Sequence, residues 1–251
     1  MSFLSNFVLP DLAPFWLSVR LASVTTLVLL LVGTPIAWAL ARSRARWRPF
    51  VEAIIALPLV LPPTVLGFYL LIALNPGAPI GRFWLNVTGG TLTFSFAGLV
   101  IASVFYSLPF MIQPLQGAFE RVSQSVLEAA ASLNASPRDS FRSVVMPLSL
   151  RGFVTGSILT FAHTLGEFGI VLMVGGNIPD RTRVVSIAIY ENVETLNYAQ
   201  AHSLSLILLL ISFCVLVFVY VFNRRVPWSV GTGSTNSGPS SSGPASSRQV
   251  G

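Results

Sequence analysis

Long apolar stretches alternate with short polar ones over most of the chain. Each apolar stretch is long enough to cross the hydrocarbon core of a membrane as a helix, which takes about 20 residues. A helix satisfies its own backbone hydrogen bonds and so needs no water there. The pattern predicts an all-α polytopic membrane protein with five transmembrane helices, over residues 15–40, 50–74, 92–115, 152–174 and 204–222.

The two ends of the chain differ from these stretches. Residues 1–14 form a short lead before the first predicted span, and residues 226–251 are rich in Ser, Gly and Pro. A segment with so few apolar residues cannot bury a core. We therefore expect one transmembrane domain over 15–225, followed by a disordered tail over 226–251.

The arginines are unevenly divided between the two sides that five spans would define. One side has Arg20, Arg82, Arg181 and Arg183. The other side has Arg42, Arg44, Arg46, Arg48, Arg121, Arg138, Arg142, Arg151, Arg224 and Arg225. Short loops rich in positive charge stay in the cytoplasm. The N-terminal lead is therefore predicted to be periplasmic. The C-terminus and the loop over residues 118–149, called the polar loop below, are predicted to be cytoplasmic.

The composition excludes several other classes of protein. All basic residues are Arg, and a P-loop ATPase needs a Lys in its phosphate-binding loop, so this chain does not hydrolyse ATP through such a site. The net charge of +6 comes from arginines beside apolar segments, which indicates topology and not nucleic-acid binding. One Cys and two His offer little for a metal site or for an integral-membrane enzyme. No cofactor is expected on this chain.

The polar loop reads as two short helices joined by a turn, over Glu128–Pro147. Asn134 lies where the first helix should end, and Asn tolerates a left-handed backbone. Ser136 then has the character of an N-cap and Pro137 that of a first helical residue. Pro147 is expected to end the second helix.

Prolines interrupt the second predicted span at Pro58, Pro62 and Pro63, followed by Thr64. Proline removes a backbone donor and kinks or breaks a helix. Irregular backbone at membrane depth persists only where it is buried or lines a cavity. This stretch is therefore a candidate wall of a translocation path, and the alternative is a kink that serves packing alone.

The fourth predicted span contains a carboxylate, Glu167, between Gly166 and Gly169. A charge inside a span is costly and is usually functional or paired. We expect an ion pair with Arg20 or with Arg181 or Arg183, near the outer surface. The alternative is that Glu167 reaches interfacial water. His163 is interpreted as a packed, hydrogen-bonded residue, and hydroxyls such as Thr64, Ser107 and Thr164 are candidates for contact with an anion.

The polar loop resembles the EAA loop of bacterial ABC-importer permeases. The matching residues are Glu128, Ala129, Ala130, Leu133, Asn134, Ala135, Ser136 and Pro147. Asn134 stands where the family has Gly, and both residues accept a left-handed turn. The resemblance implies that this loop docks into a separate ATPase subunit.

The proline-rich second span, together with the stretch Thr164–Gly169, is similar to the permeases of molybdate importers. Sulfate and thiosulfate permeases are similar over the same part of the chain. The likeness implies a permease that forms an alternating-access path for molybdate in the bacterial inner membrane. Tungstate or sulfate are the alternative substrates, and an ion-coupled secondary carrier is the alternative class.

The resemblance also implies partners. They are a second copy of this chain, two ATPase subunits that carry ATP and Mg, a periplasmic oxyanion-binding protein and membrane lipid, with no nucleic acid. The candidate path or gate residues are Pro58, Pro62, Pro63, Thr64, Gly166, Glu167 and Gly169.

Overall fold

The structure, a computed structural model, describes residues 11–225. Most of the predicted lead and the whole predicted tail lie outside these residues. All of the regular secondary structure within them is helical, with no strand. The helices are α1 (Ala13–Arg42), α2 (Arg48–Val60), α3 (Pro63–Leu74), α4 (Pro79–Thr88), α5 (Phe96–Glu120), α6 (Gln124–Ser132), α7 (Pro137–Ser140), α8 (Met146–Leu148), α9 (Leu150–Leu165), α10 (Gly169–Gly175), α11 (Val185–Glu194) and α12 (Tyr198–Arg225).

Three of the described helices, α1, α5 and α12, are each long and apolar enough to cross a membrane unbroken. Two further spans are possible if each bent pair of helices counts as one. One pair is α2 with α3, which meet at 111°. The other is the helical stretch 137–148 with α9, bent by 71°.

The fourth predicted span is not one continuous helix. Helix α9 ends at Leu165, and α10 begins only at Gly169. Phe168 has φ −128° and ψ −61°, which is not helical, and Glu167 lies between the two ends. Two glycines within four residues lower the helical preference of this stretch, so packing decides its path.

Helices α1, α5 and α9 form the centre of the bundle, where glycines let the backbones approach closely. A Cβ atom placed on Gly152 of α9 would lie 2.4 Å from Cβ of Ala118 on α5. One on Gly156 would lie 3.2 Å from the carbonyl oxygen of Met111. One on Gly33 of α1 would lie 3.2 Å from Met111 Cγ. Small residues hold helices together in membranes through such contacts.

The turn between α6 and α7 in the polar loop folds as its sequence predicts. Asn134 has φ +57°, a left-handed conformation, immediately after α6. The Oγ atom of Ser136 accepts a hydrogen bond from the backbone N–H of Asp139 at 3.2 Å, and Pro137 is the first residue of α7.

The prediction that Pro147 ends the second helix is wrong. The helical stretch continues through a π turn over Phe141–Val145 into α8 and ends at Ser149. In an α-helix the proline ring would clash with the carbonyl four residues earlier. The wider π turn, in which Met146 N–H bonds to the Phe141 carbonyl, relieves that clash and lets the helix pass Pro147.

The close contact at Gly152 predicts an unequal response to the same substitution at two glycines. Gly152→Ala should lower the free energy of unfolding by about 1–3 kcal/mol, because the new methyl group overpacks the contact with Ala118. Gly117→Ala on α5 is the matched control, since a Cβ there meets nothing within 4 Å. The control should be neutral or stabilising by up to about 1 kcal/mol. Thermal unfolding of the purified protein in detergent measures both, and equal melting temperatures would contradict the contact.

Candidate functional site

The first break in the helices lies where the prolines predict it. Helix α2 ends at Val60, and Leu61 is extended, with φ −73° and ψ 138°. Pro62 then precedes Pro63, the first residue of α3. Pro58 lies within α2 and does not end it. Pro62 and Thr64 are exposed on the surface of the single chain.

The second break, between α9 and α10, lies directly against the first one. A Cβ atom on Gly169 would lie 2.9 Å from Cβ of Pro63. A Cβ on Gly67 of α3 would lie 2.9 Å from Cβ of Met173 on α10. We call these two approaches the break contact. Two stretches of irregular backbone about a hundred residues apart in sequence therefore form one unit.

Gly166 differs from the other glycines of this region. The atoms nearest to a Cβ placed there are carbonyl oxygens of its own helix, at 3.8 and 4.0 Å. Gly166 therefore makes no close approach to another helix within this chain. Gly166 instead follows the last turn of α9, where its N–H bonds to the Ala162 carbonyl.

Glu167 is buried beside the break contact, with 5% of its surface exposed. Neither of its carboxyl oxygens has a hydrogen-bond partner. The hydroxyl of Ser103, on α5, lies beside the Glu167 carboxyl group. The two groups do not form a hydrogen bond of normal geometry, and the Ser103 hydroxyl has no other partner. The Ser186 hydroxyl donates to the backbone carbonyl of Glu167 and leaves its side chain unpaired.

The predicted ion pairs of Glu167 are wrong. The guanidinium of Arg20 lies 4.7 Å from the ring centroid of Phe96. Arg183 bonds to Glu191, with 3.3 Å between Nη1 and Oε2. Arg181 is no partner of Glu167 either, because both carboxyl oxygens are without one. Glu167 lies beyond the end of α9, in the break before α10. Its burial also excludes contact with interfacial water.

A polar cluster joins α5 to the end of α9. The Ser107 hydroxyl lies 2.9 Å from Nδ1 of His163 and 2.9 Å from Oγ1 of Thr164. The His163 ring stacks on Phe110, with 4.0 Å between centroids. His163 is therefore a packed, hydrogen-bonded residue, as its sequence context indicates. Ser107 and Thr164, both candidates for anion contact, instead bond to each other within the chain.

The polar loop presents most of its matching residues at the surface. Among the large apolar side chains that the structure describes, Leu133 is the most exposed, at 84%. Ala130 is the buried member, and its carbonyl accepts a hydrogen bond from Ala135 N–H. The other exposed members are Glu128, Ala129, Asn134, Ser136 and Pro147.

Sequence reasoning missed a charged cluster at the α5 end nearest the polar loop. Arg48 bonds to Glu52, with 2.7 Å between Nε and Oε1, and also to Glu120. Gln116 donates to Glu52 at 2.6 Å. These side chains line a cavity of about 520 Å³ between α2 and α5. The four-residue spacings Arg48–Glu52 and Gln116–Glu120 were the available signal, since such pairs meet on a helix face.

Comparison with known proteins assigns the family. Residues 33–227 match the family described as binding-protein-dependent transport system inner membrane component. The chain belongs to this family, and so it is a multi-pass inner-membrane protein of an ABC-type transport system.

Two relatives illustrate the range of the family. The chain is 56% identical over 214 residues to the molybdenum transport system permease protein ModB of Azotobacter vinelandii, covering 85% of this chain and 95% of the relative. It is 34% identical over 208 residues to a probable sulfate transport system permease protein cysT of Chlorella vulgaris, covering 83% and 78%.

Solved structures share the fold. A bacterial alginate ABC transporter, in complex with a periplasmic protein bound to an alginate pentasaccharide, matches with a TM-score of 0.65 and 14% identity, over 90% of this chain and 86% of that one. The MetNI methionine ABC transporter matches with a TM-score of 0.65 and 18% identity, over 85% and 94%. The predicted all-helical permease fold is thereby confirmed.

The unpaired state of Glu167 predicts the result of a double-mutant cycle with Arg20. Glu167→Gln, Arg20→Gln and the double variant should give additive changes in the free energy of unfolding, within about 0.5 kcal/mol, as for residues that share no contact. Thermal unfolding in detergent measures the three changes. A coupling energy well above that value would contradict the prediction and show that Glu167 and Arg20 form an ion pair. Glu167→Gln alone should be at least as stable as the parent, because it keeps the shape of this unpaired buried side chain and cannot ionise.

Proposed function

We propose that this chain is the permease subunit of an ATP-driven importer and forms the path for molybdate across the inner membrane by alternating access. The observation that carries the substrate is the 56% identity to a molybdenum transport permease, spread over 95% of that relative's length. Sulfate and thiosulfate are the second candidates, because a probable sulfate permease is similar at 34% identity. Tungstate is a further candidate from the family resemblance.

We propose five spans, formed by α1, α2 with α3, α5, α9 with α10, and α12. The bend of 111° between α2 and α3 then falls within the second span, at the proline stretch. The arginine distribution supports a periplasmic N-terminus and a cytoplasmic polar loop and C-terminus.

We propose that the polar loop is the coupling loop to a separate ATPase subunit, which carries ATP and Mg. The high exposure of Leu133 supports this role, since an apolar side chain at the tip of a polar loop gains free energy when a partner covers it. The left-handed Asn134 holds α6 and α7 in a tight turn behind Leu133. This chain binds no cofactor in this scheme.

The assembly we propose contains two copies of the permease, two ATPase subunits and a periplasmic oxyanion-binding protein, all within membrane lipid. The solved relatives in fold support these kinds of partner, because one of them contains a periplasmic protein bound to its substrate. The loops over residues 75–90 and 175–201 would face that binding protein. Nucleic acid has no role in this assembly.

The break contact is our candidate for the wall of the path. The first observation in its favour is the exposed edge formed by Pro62 and Thr64, which a second copy of the chain would face. The second is the interior of the same unit, where half-buried Gly169 approaches half-buried Pro63. Glu167 supports that interior and does not contact the anion, because it is buried and a carboxylate would repel a dianion.

Uptake of labelled molybdate tests the proposed function. The complete complex, reconstituted in proteoliposomes with its binding protein, should accumulate molybdate only when ATP is hydrolysed. Excess unlabelled tungstate should compete and excess sulfate should not. Competition by sulfate alone would move the substrate to sulfate. Uptake driven by an ion gradient, without the ATPase subunit, would make the chain a secondary carrier.

The exposure of Leu133 predicts a loss of ATPase binding in Leu133→Asp. Losing a central interface residue costs about 2 kcal/mol or more, which is roughly thirtyfold in affinity at about 1.4 kcal/mol per factor of ten. Co-purification with the ATPase subunit, followed by a titration of its binding, measures this loss. Glu128→Arg should act in the same direction.

Leu196→Asp is the matched control for this substitution. Leu196 is also highly exposed, at 71%, and lies between α11 and α12 with φ +60°, a conformation that Asp accepts. It belongs to the loop proposed to be periplasmic, so its variant should keep the affinity for the ATPase. Loss of binding in both variants, or in neither, would contradict the proposed contact.

A further inference from the structure

The π turn Phe141–Val145 interrupts the helical stretch that leads from the polar loop into α9. A π turn is rare in proteins and is often associated with a functional site. Its hydrogen bond runs from Met146 N–H to the Phe141 carbonyl, one residue further than in an α-helix. The turn lies immediately before Pro147, whose ring it accommodates. The sequence therefore builds this turn at a fixed place.

The π turn directs Phe141 into a group of rings that we call the aromatic cluster, made of Trp38, Phe119, Phe141 and Phe153. The Phe141 ring lies 5.5 Å from Trp38 of α1, edge to face, and 6.0 Å from Phe119 of α5. Trp38 and Phe119 are themselves in contact at 5.4 Å. Phe153 of α9 completes the cluster, 5.7 Å from Phe119. Phe141 is the member that the polar loop supplies.

The outer part of the polar loop is attached to the bundle through this turn and, at its other end, through the short link over residues 121–123 to α5. Helices α6 and α7 pack on each other and on the π turn. Val145, one turn after Phe141, is buried in the same core cluster as Phe119. Leu127 of α6 is a smaller, partly buried contact with that cluster. A displacement of α6 and α7 therefore reaches the spanning helices through Phe141 and Val145 as well as through the link to α5.

Arg42 ties together the two helices that Phe141 touches. Its guanidinium lies 4.7 Å from the ring centroid of Trp38, one turn earlier on α1. The same group donates to the Val122 carbonyl at 3.1 Å, just after the end of α5. Because Arg42 joins α1 to α5 beside the aromatic cluster, a push on one of these helices is shared by the other.

We propose that Phe141 is the positioning residue that passes displacement of the polar loop to α1 and α5, and that the π turn sets its direction. This role rests on the proposed docking of an ATPase subunit at the polar loop. Phe141 touches neither nucleotide nor anion in this scheme. Its substitution should therefore change how much transport each hydrolysed ATP produces, while the ATPase remains bound.

The test compares molybdate uptake with ATP hydrolysis in proteoliposomes that contain the complete complex. Phe141→Ala should lower the ratio of molybdate taken up to ATP hydrolysed by about tenfold, an effect within the range for residues that carry coupling between distant sites. Phe141→Leu keeps apolar volume at the cluster and should keep most of the ratio. Phe153→Ala removes another ring from Phe119 and should lower the melting temperature without changing the ratio.

A deletion tests the π turn itself. Ser143 is exposed within the turn, so Ser143→Ala should behave like the parent. Deleting Ser143 removes the extra residue of the π turn, so the stretch can continue as an α-helix only with the proline ring set against the carbonyl four residues earlier. The deletion should reduce the molybdate taken up per ATP hydrolysed to near zero.

The outcomes separate this role from the proposed function. Parent complexes that fail to use ATP for uptake would refute the proposed function itself. Parent complexes that transport normally, with Phe141→Ala and the Ser143 deletion showing the parental ratio, would refute the role of Phe141 alone. An equal fall of the ratio in Phe153→Ala would also refute it, since Phe141 would then act only by packing.

Discussion

Met111 of α5 lies between glycines of the two helices that flank it, and the rest of the bundle depends on this close approach. Gly33 of α1 faces its side chain, and Gly156 of α9 faces its carbonyl. Between helices in lipid the hydrophobic driving force is weak, so close van der Waals packing holds them. The contact fixes the register of α5 against both neighbours. It thereby determines which α5 side chains meet the polar loop at one end and the break contact towards the other.

The two broken helices are a second consequence of the membrane environment. A backbone that leaves the helix at membrane depth must be buried or line a cavity, because no lipid group can replace its hydrogen bonds. Here the break at Pro62 and the break at Gly169 lie against each other, so each covers part of the other's irregular backbone. One irregular unit therefore combines a half-buried interior with an exposed edge, which a single straight span could not provide.

Sequence patterns predicted the features that are decided locally. Asn134, Ser136 and Pro62 each act through the conformation of their own backbone, and the structure has them as expected. The partner of Glu167 and the path of the helix at Pro147 were predicted wrongly. Both depend on contacts between distant parts of the chain: the first on where α9 breaks, the second on a wider turn that removes a clash. The aromatic cluster gave no local signal, because its four rings come from separate helical segments.

Helix α5 connects the aromatic cluster to the polar cluster at the end of α9. Phe119, near one end of α5, belongs to the aromatic cluster, and Ser107 of the same helix contacts the end of α9. Phe119 and Ser107 are 12 residues apart, which is about 18 Å at 1.5 Å per residue. Coupling over such a distance requires an element with more than one arrangement. Pro109 and Pro114 lie between these points and remove two backbone hydrogen bonds from the helix. A displacement passed from Phe119 towards Ser107 would therefore act on the part of α5 in which two backbone hydrogen bonds are missing.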